Sequence, residues 1–189
     1  PRMKSSDATR VPALKVDRLG IGFGTRCILD EVSFTVCDCG ITVMMGPAGT
    51  GKSTLLRTLS GLNQSNPELR TRGRVWFGRQ AWTDANAPRP LLLQQRPAAL
   101  SCSAGEYLMS SIKNRARLTQ AEQSELVRAQ LESFDQFDLL RALDMPMTRL
   151  DASTRRRVAI AGMTFEPDCL LMLDEPTTDL PPEQSSRLL

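Results

Sequence analysis

The nine residues GPAGTGKST, Gly46 to Thr54, constrain the fold more than any other stretch of the chain. Gly46, Gly51, Lys52 and Ser53 match the phosphate-binding pattern of two glycines with four residues between them, followed by Lys and Ser or Thr. That pattern carries meaning only between a strand and a helix. The flanks supply that context. ITVMM, Ile41 to Met45, reads as a strand buried on both faces, and LLRTLSGL, Leu55 to Leu62, spaces its apolar residues as a helix does. Glycines let the backbone curl so that successive N–H groups face a phosphate, and the helix that follows offers the same anion its positive dipole end. Gly46, Pro47, Ala48, Gly49, Thr50, Gly51, Lys52, Ser53 and Thr54 are therefore the candidate cradle. Lys52 would reach the β- and γ-phosphates, and the Ser53 hydroxyl would sit on the Mg²⁺ that bridges them.

The rest of the chain bounds what such a loop can serve. At 189 residues, 41% hydrophobic and 24% charged, it suits one soluble domain with a real core. No apolar run approaches the ~20 residues needed to cross a bilayer, and no leader with a charged start and apolar middle is present, so membrane association is expected only through partners. A net charge of +3 with scattered basic residues gives no ground for direct nucleic-acid binding. The run Arg155, Arg156, Arg157 reads as a solvated helix face or a partner contact. Five cysteines without zinc spacing, and no histidine, point to reduced thiols in a cytoplasmic setting.

Along the chain, the polar first ten residues read as a loose tail. LKVDRL and ILDEVSFTV alternate as half-buried strands do; RVWFG is a short strand and PLLLQQ another apolar run. From Ala104 the pattern turns helical, in SAGEYLMSSIKNRARL and in TQAEQSELVRAQLESF with Thr119 as its cap. STRRRVAIAGMTF is a third helix, with Ser153 a plausible cap. LLMLDEPT then gives a core strand whose carboxyl end carries Asp174, placed to hold Mg²⁺ through water, followed by Glu175, placed to orient or deprotonate an attacking water.

With these elements in order, the sequence resembles the nucleotide-binding domain of ATP-binding cassette (ABC) ATPases, from about Val11 to Leu180. VDRLGIGFGTRCILDEVSFTV is similar to the family's opening strands, with Phe23 at the position that stacks on adenine. Gln95 matches the glutamine that joins the Mg²⁺ site to the helical subdomain, and Gln94 is its rival by one place. LDASTRRRVAIAG stands where the family has its LSGGQ signature, here Leu150, Asp151, Ala152, Ser153 and Thr154. DEPTT carries the metal Asp and the catalytic Glu in the family's order. The resemblance implies an α/β P-loop NTPase with a mostly parallel core sheet, an N-terminal antiparallel β-subdomain and an inserted helical subdomain. Residues 11–94 and 145–189 would form the ATP-binding core and 95–144 the helical part. It further implies ATP and Mg²⁺ as cofactors, a catalytic set of Glu175, Lys52 and Gln95, and Ser53, Gln95 and Asp174 around the metal. The partners implied are a second nucleotide-binding domain, identical or not, and transmembrane transporter subunits that hold the protein at the inner face of the membrane. The stretch between Lys52 and Leu150 is too short for the long coiled coil of the chromosome-maintenance relatives, which favours a transporter motor.

Departures from the family pattern sharpen the expectation. Asp151 replaces the serine that would meet the partner's γ-phosphate, and Ala152 and Ser153 replace glycines. A carboxylate ~4 Å from a phosphate charge, at an effective dielectric near ~20, costs about 4 kcal/mol, enough to weaken closure by roughly two to three orders of magnitude. Asp151 or Ser153 can also cap the helix beginning near Thr154, and capping and repulsion are compatible. After DEPT the family usually reads SALD, and this chain has Thr178, Asp179, Leu180 and Pro181, with proline removing an amide donor. The family's switch histidine would lie roughly thirty residues past Glu175 on the motif logic, whereas the sequence ends fourteen residues after it. The expectation is a chain lacking its C-terminal part. Two functions follow, an ATPase motor subunit of a transporter or an ATP-binding switch with weak or no turnover. LNQSNPELRTRGRV and QRPAALSCS look like phosphate-importer cassettes, a likeness that turn chemistry alone could also produce.

Overall fold

A computed structural model describes residues 11–84, 87–93, 101–166 and 169–178, and the chain divides between Leu92 and Leu93 into two units. The expected tail, Gln94, Gln95 and everything from Asp179 onward lie outside the described residues.

In the first unit the alternation of LKVDRLGIGF makes β1 (Leu14–Phe23), which pairs antiparallel with β2 (Arg26–Val36) on one side and β3 (Leu69–Phe77) on the other; β4 (Gln80–Ala81) completes the order β2-β1-β3-β4. The inward residues of β1 are Leu14 and Val16, then Leu19 and Ile21, all nearly inaccessible. A period of two cannot take a strand from 16 to 19 on one face, because a one-residue slip turns every later side chain over. The break is a bulge. Register shifts fall between Val16 and Leu19 against β2 and between Asp17 and Gly20 against β3, and Arg18 takes the left-handed conformation, φ 48°. Gly73 on β3 makes the bulge possible, since a Cβ there would lie 2.2 Å from the Arg18 carbonyl oxygen. Burying Leu19 and Ile21 in this way is favourable by roughly 1.5–3 kcal/mol each. After β2 the chain leads to α1 (Lys52–Leu59), whose buried residues are Leu55, Thr58 and Leu59.

The run Ile41–Met45 departs from expectation. It forms no strand, and Ile41, Val43 and Met45 are 91%, 73% and 88% exposed. An extended run becomes a strand only when its N–H and C=O groups find a ladder, and among the described residues no strand pairs with it.

The second unit is built around helices. Short β5 (Leu91–Leu93), within which the boundary falls, and β6 (Leu171–Leu173) form a two-stranded sheet. Between them come α2 (Ala104–Ser110), α3 (Gln120–Ser133), α4 (Phe137–Arg141) and α5 (Ala152–Met163). Ser103 with Glu106, and Thr119 with Glu122, form reciprocal capping boxes at α2 and α3. Thr119 is thus the cap its position predicts. Leu108, Val127, Leu131, Leu139, Met147, Leu150 and Val158 close one core, so α5 packs with the preceding helices. Gly162 brings α5 against α2; a Cβ there would stand 2.9 Å from Ser111 Oγ and 3.0 Å from the Tyr107 ring.

Candidate functional site

The phosphate loop leads into α1 through glycines whose conformations most residues resist: Gly49 has φ 78° and Gly51 φ 92°. Gly51 is required twice over, because a Cβ would also press to 2.9 Å from Leu29 on β2. The loop closes on itself. Lys52 Nζ donates to the carbonyl oxygens of Gly46 at 2.8 Å and Pro47 at 2.7 Å, and Thr50 Oγ1 donates to Pro47 O at 2.9 Å. Residues 46–50 are exposed, and no side chain larger than Thr50 projects from them. Helix α1 has no side-chain cap and no acid in its first turn, so its positive end faces the loop with no carboxylate of its own helix against it. Such a loop fits a triphosphate: a glycine cradle, an ammonium at its mouth and an open helix end. Ser53 and Thr54 stand in the first turn of α1. Phe23 ends β1, half-buried, at the two-residue turn into β2, where it pairs with Arg26 and Leu69.

In the second unit β6 delivers Asp174, which is buried and whose amide donates to Leu93 O at 3.0 Å. Glu175 follows, exposed and in the left-handed region at φ 48°, a conformation that costs a non-glycine residue of order 1–3 kcal/mol unless its surroundings hold it. Two local bonds contribute. Thr178 Oγ1 donates to Glu175 Oε2 at 3.0 Å, and the Thr178 amide donates to Glu175 O at 3.1 Å.

At the signature position Asp151 caps α5. Asp151 Oδ1 accepts from the amides of Ser153 at 3.0 Å and Thr154 at 3.1 Å, and Oδ2 from the Thr154 hydroxyl at 2.5 Å. Partial burial pushes the Asp151 carboxyl up, but these hydrogen bonds, the Thr154 hydroxyl first among them, outweigh it and hold the group below its ordinary range. Of the two caps the sequence allowed, Asp151 is the one used. The helix therefore starts at Ala152, earlier than Thr154, and Ser153 is buried inside the first turn. Leu150 is buried just ahead of it and Ala152 exposed.

The arginine run corrects a sequence reading. None of the three simply faces solvent. Arg155 donates to Met147 O and Leu150 O, and Arg157 grips Gln136 and Asp138. Arg156, 3% exposed, donates from Nη1 to Pro176 O at 2.6 Å and Thr178 O at 2.9 Å. Reading charge alone missed this. The available signal was spacing: Arg156 lies three residues after buried Ser153 and three before buried Ala159, on the inward stripe of α5. The five cysteines, Cys27, Cys37, Cys39, Cys102 and Cys169, form no disulfide in the structure. No group of His, Cys, Asp and Glu suited to a metal occurs among the described residues, and no helix there is long and apolar enough to cross a membrane.

Comparison with known proteins adds the following. A family model described as ABC transporter matches residues 29–178. The chain is 32% identical over 178 residues to a phosphate import ATP-binding protein, PstB, of Pyrobaculum aerophilum, covering 90% of this chain and 71% of that one. It is 30% identical over 177 residues to a cytochrome c biogenesis ATP-binding export protein, CcmA, of Gluconobacter oxydans, covering 93% and 72%. Among solved structures it resembles a nucleotide-free ATP-binding cassette from an ABC transporter with a TM-score of 0.73 at 20% identity, covering 94% of this chain and 74% of that one. The fold is that of such cassettes, an α/β P-loop NTPase.

Proposed function

The chain belongs to the ABC transporter family, and we propose that it is the ATP-binding subunit that hydrolyses Mg·ATP to drive transport through partner membrane subunits. One observation carries the reading: the open N-terminus of α1 behind the glycine loop, with the Lys52 ammonium 2.8 Å and 2.7 Å from the loop's own carbonyls. In this reading Lys52 leaves those carbonyls for the β- and γ-phosphates, and the amides from Ala48 to Thr54 receive the remaining phosphate oxygens. Phe23 stacks on the adenine. Ser53, Asp174 and Gln95 would hold Mg²⁺, which when bound draws off the charge that develops on the phosphates. Glu175, held by Thr178, orients and deprotonates the attacking water. Leu150, Asp151, Ala152, Ser153 and Thr154 face the ATP of a second nucleotide-binding domain, and the membrane subunits keep the protein at the inner face of the membrane.

The relatives named for phosphate import, together with the residues after α1, support a phosphate-importer-like cassette. A switch with little turnover is the second reading. Its support is the Asp151 carboxylate at the signature position, together with the altered sequence after Glu175.

Steady-state phosphate release by the full-length protein, alone and with the products of neighbouring genes, separates motor from switch. Glu175→Gln is expected to keep Mg·ATP binding and abolish turnover. Undiminished release from that variant would remove Glu175 from the proposed role.

A further inference from the structure

The molecule holds a buried cation for which phosphate binding has no use. Arg156 sits on the inward stripe of α5 and is almost wholly removed from water. A guanidinium is costly to bury unless its N–H groups are engaged. Here Nη1 is spent on main-chain carbonyls, those of Pro176 and Thr178, within the three residues that follow Glu175. A grip on carbonyls fixes the path of the backbone rather than the position of any one side chain. The gripped turn contains the bond from the Thr178 hydroxyl to the Glu175 carboxylate, and it starts from a Glu175 backbone in the left-handed region. A residue held in such a conformation needs neighbours that keep it there.

We propose that Arg156 is a positioning residue for Glu175, holding through the Pro176 and Thr178 carbonyls the turn whose Thr178 hydroxyl aims the Glu175 carboxylate. The chain of contact is continuous: α5, Arg156, the turn, Thr178 Oγ1, Glu175 Oε2. Asp151 caps the same helix five residues before Arg156, so a displacement of the start of α5 is delivered to the Glu175 turn. The proposal rests on the reading of Glu175 as the group that activates water, and it assigns regulation of that group to α5.

The test uses the full chain and two independent readouts. In steady-state kinetics, Thr178→Val and Arg156→Lys should each lower kcat roughly tenfold, the loss of one hydrogen bond to a charged group, with Kd for Mg·ATP and Tm close to wild type. Thr178→Ser should restore kcat. The double variant should be no slower than the worse single one, because both act through one turn. In hydrogen exchange by mass spectrometry, Arg156→Lys should speed exchange in the peptide spanning Glu175 to Thr178 and leave α3 unchanged. Normal kcat with normal exchange overturns the proposal, as does a kcat loss that only follows Tm. Wild-type protein without turnover would sink the motor reading instead, and the exchange experiment would then decide this one, unchanged protection at Glu175 to Thr178 counting against it.

Discussion

Two helices in this molecule begin at positions where a cassette would handle phosphate, and they begin in opposite ways. Helix α1 starts at Gly51 with no side-chain cap and no acid in its first turn, whereas α5 starts at Asp151, whose carboxylate takes two amides and a hydroxyl. The physics of the two ends is the same, since both present unpaired N–H groups and a partial positive charge. What differs is who supplies the negative partner. At α1 neither the cap residue nor the first turn supplies it, and at α5 the chain brings its own.

That contrast can be broken most severely at Lys52. If α1 is the open end, Lys52→Ala should weaken Mg·ATP binding roughly 10- to 150-fold in isothermal titration, the worth of hydrogen bonds to charged groups at about 1.5–3 kcal/mol. Equal affinity would erase the distinction. A smaller effect comes from making α1 resemble α5. Ala48→Asp should cost roughly tenfold in affinity at low salt and visibly less at ~0.5 M, because the repulsion is exposed and screened; a loss that ignores salt would mean a distorted loop. The smallest effect is at α5 itself. Asp151→Ala should lower stability by about 1 kcal/mol and Tm by about 2–4 °C, and Asp151→Asn, which keeps the acceptor but not the charge, should lower them less. Because the folded carboxyl titrates below its unfolded value, this stabilisation is present at neutral pH and lost as pH falls through the depressed folded value. Melting curves of wild type and Asp151→Ala should therefore converge in acid. Curves that stay parallel down to roughly pH 2 would deny the cap its charge.

Much of this was legible from residue order alone. Alternation found β1 and β2, RVWFG marked only the second half of β3, the glycine spacing found the loop ahead of α1, and Thr119 marked the start of α3. The misses share a cause. Ile41–Met45 has every local property of a strand, but a strand is a relation between two segments, and composition says nothing of the second. The arginine run looked solvated because charge normally is; only a helical projection places Arg156 inward, and only the fold supplies the carbonyls that receive it. At Asp151 the residue type named two roles, capping and repelling phosphate, and geometry established the first.

The bare apolar run ahead of the phosphate loop has a practical corollary. Ile41, Val43 and Met45 project from an uncharged five-residue stretch of high β-propensity, the composition that seeds sticking between copies. Any association of the purified chain that is indifferent to nucleotide should trace to those side chains. Replacing Val43 with lysine would then be the way to clear the background before a nucleotide-driven pair is sought.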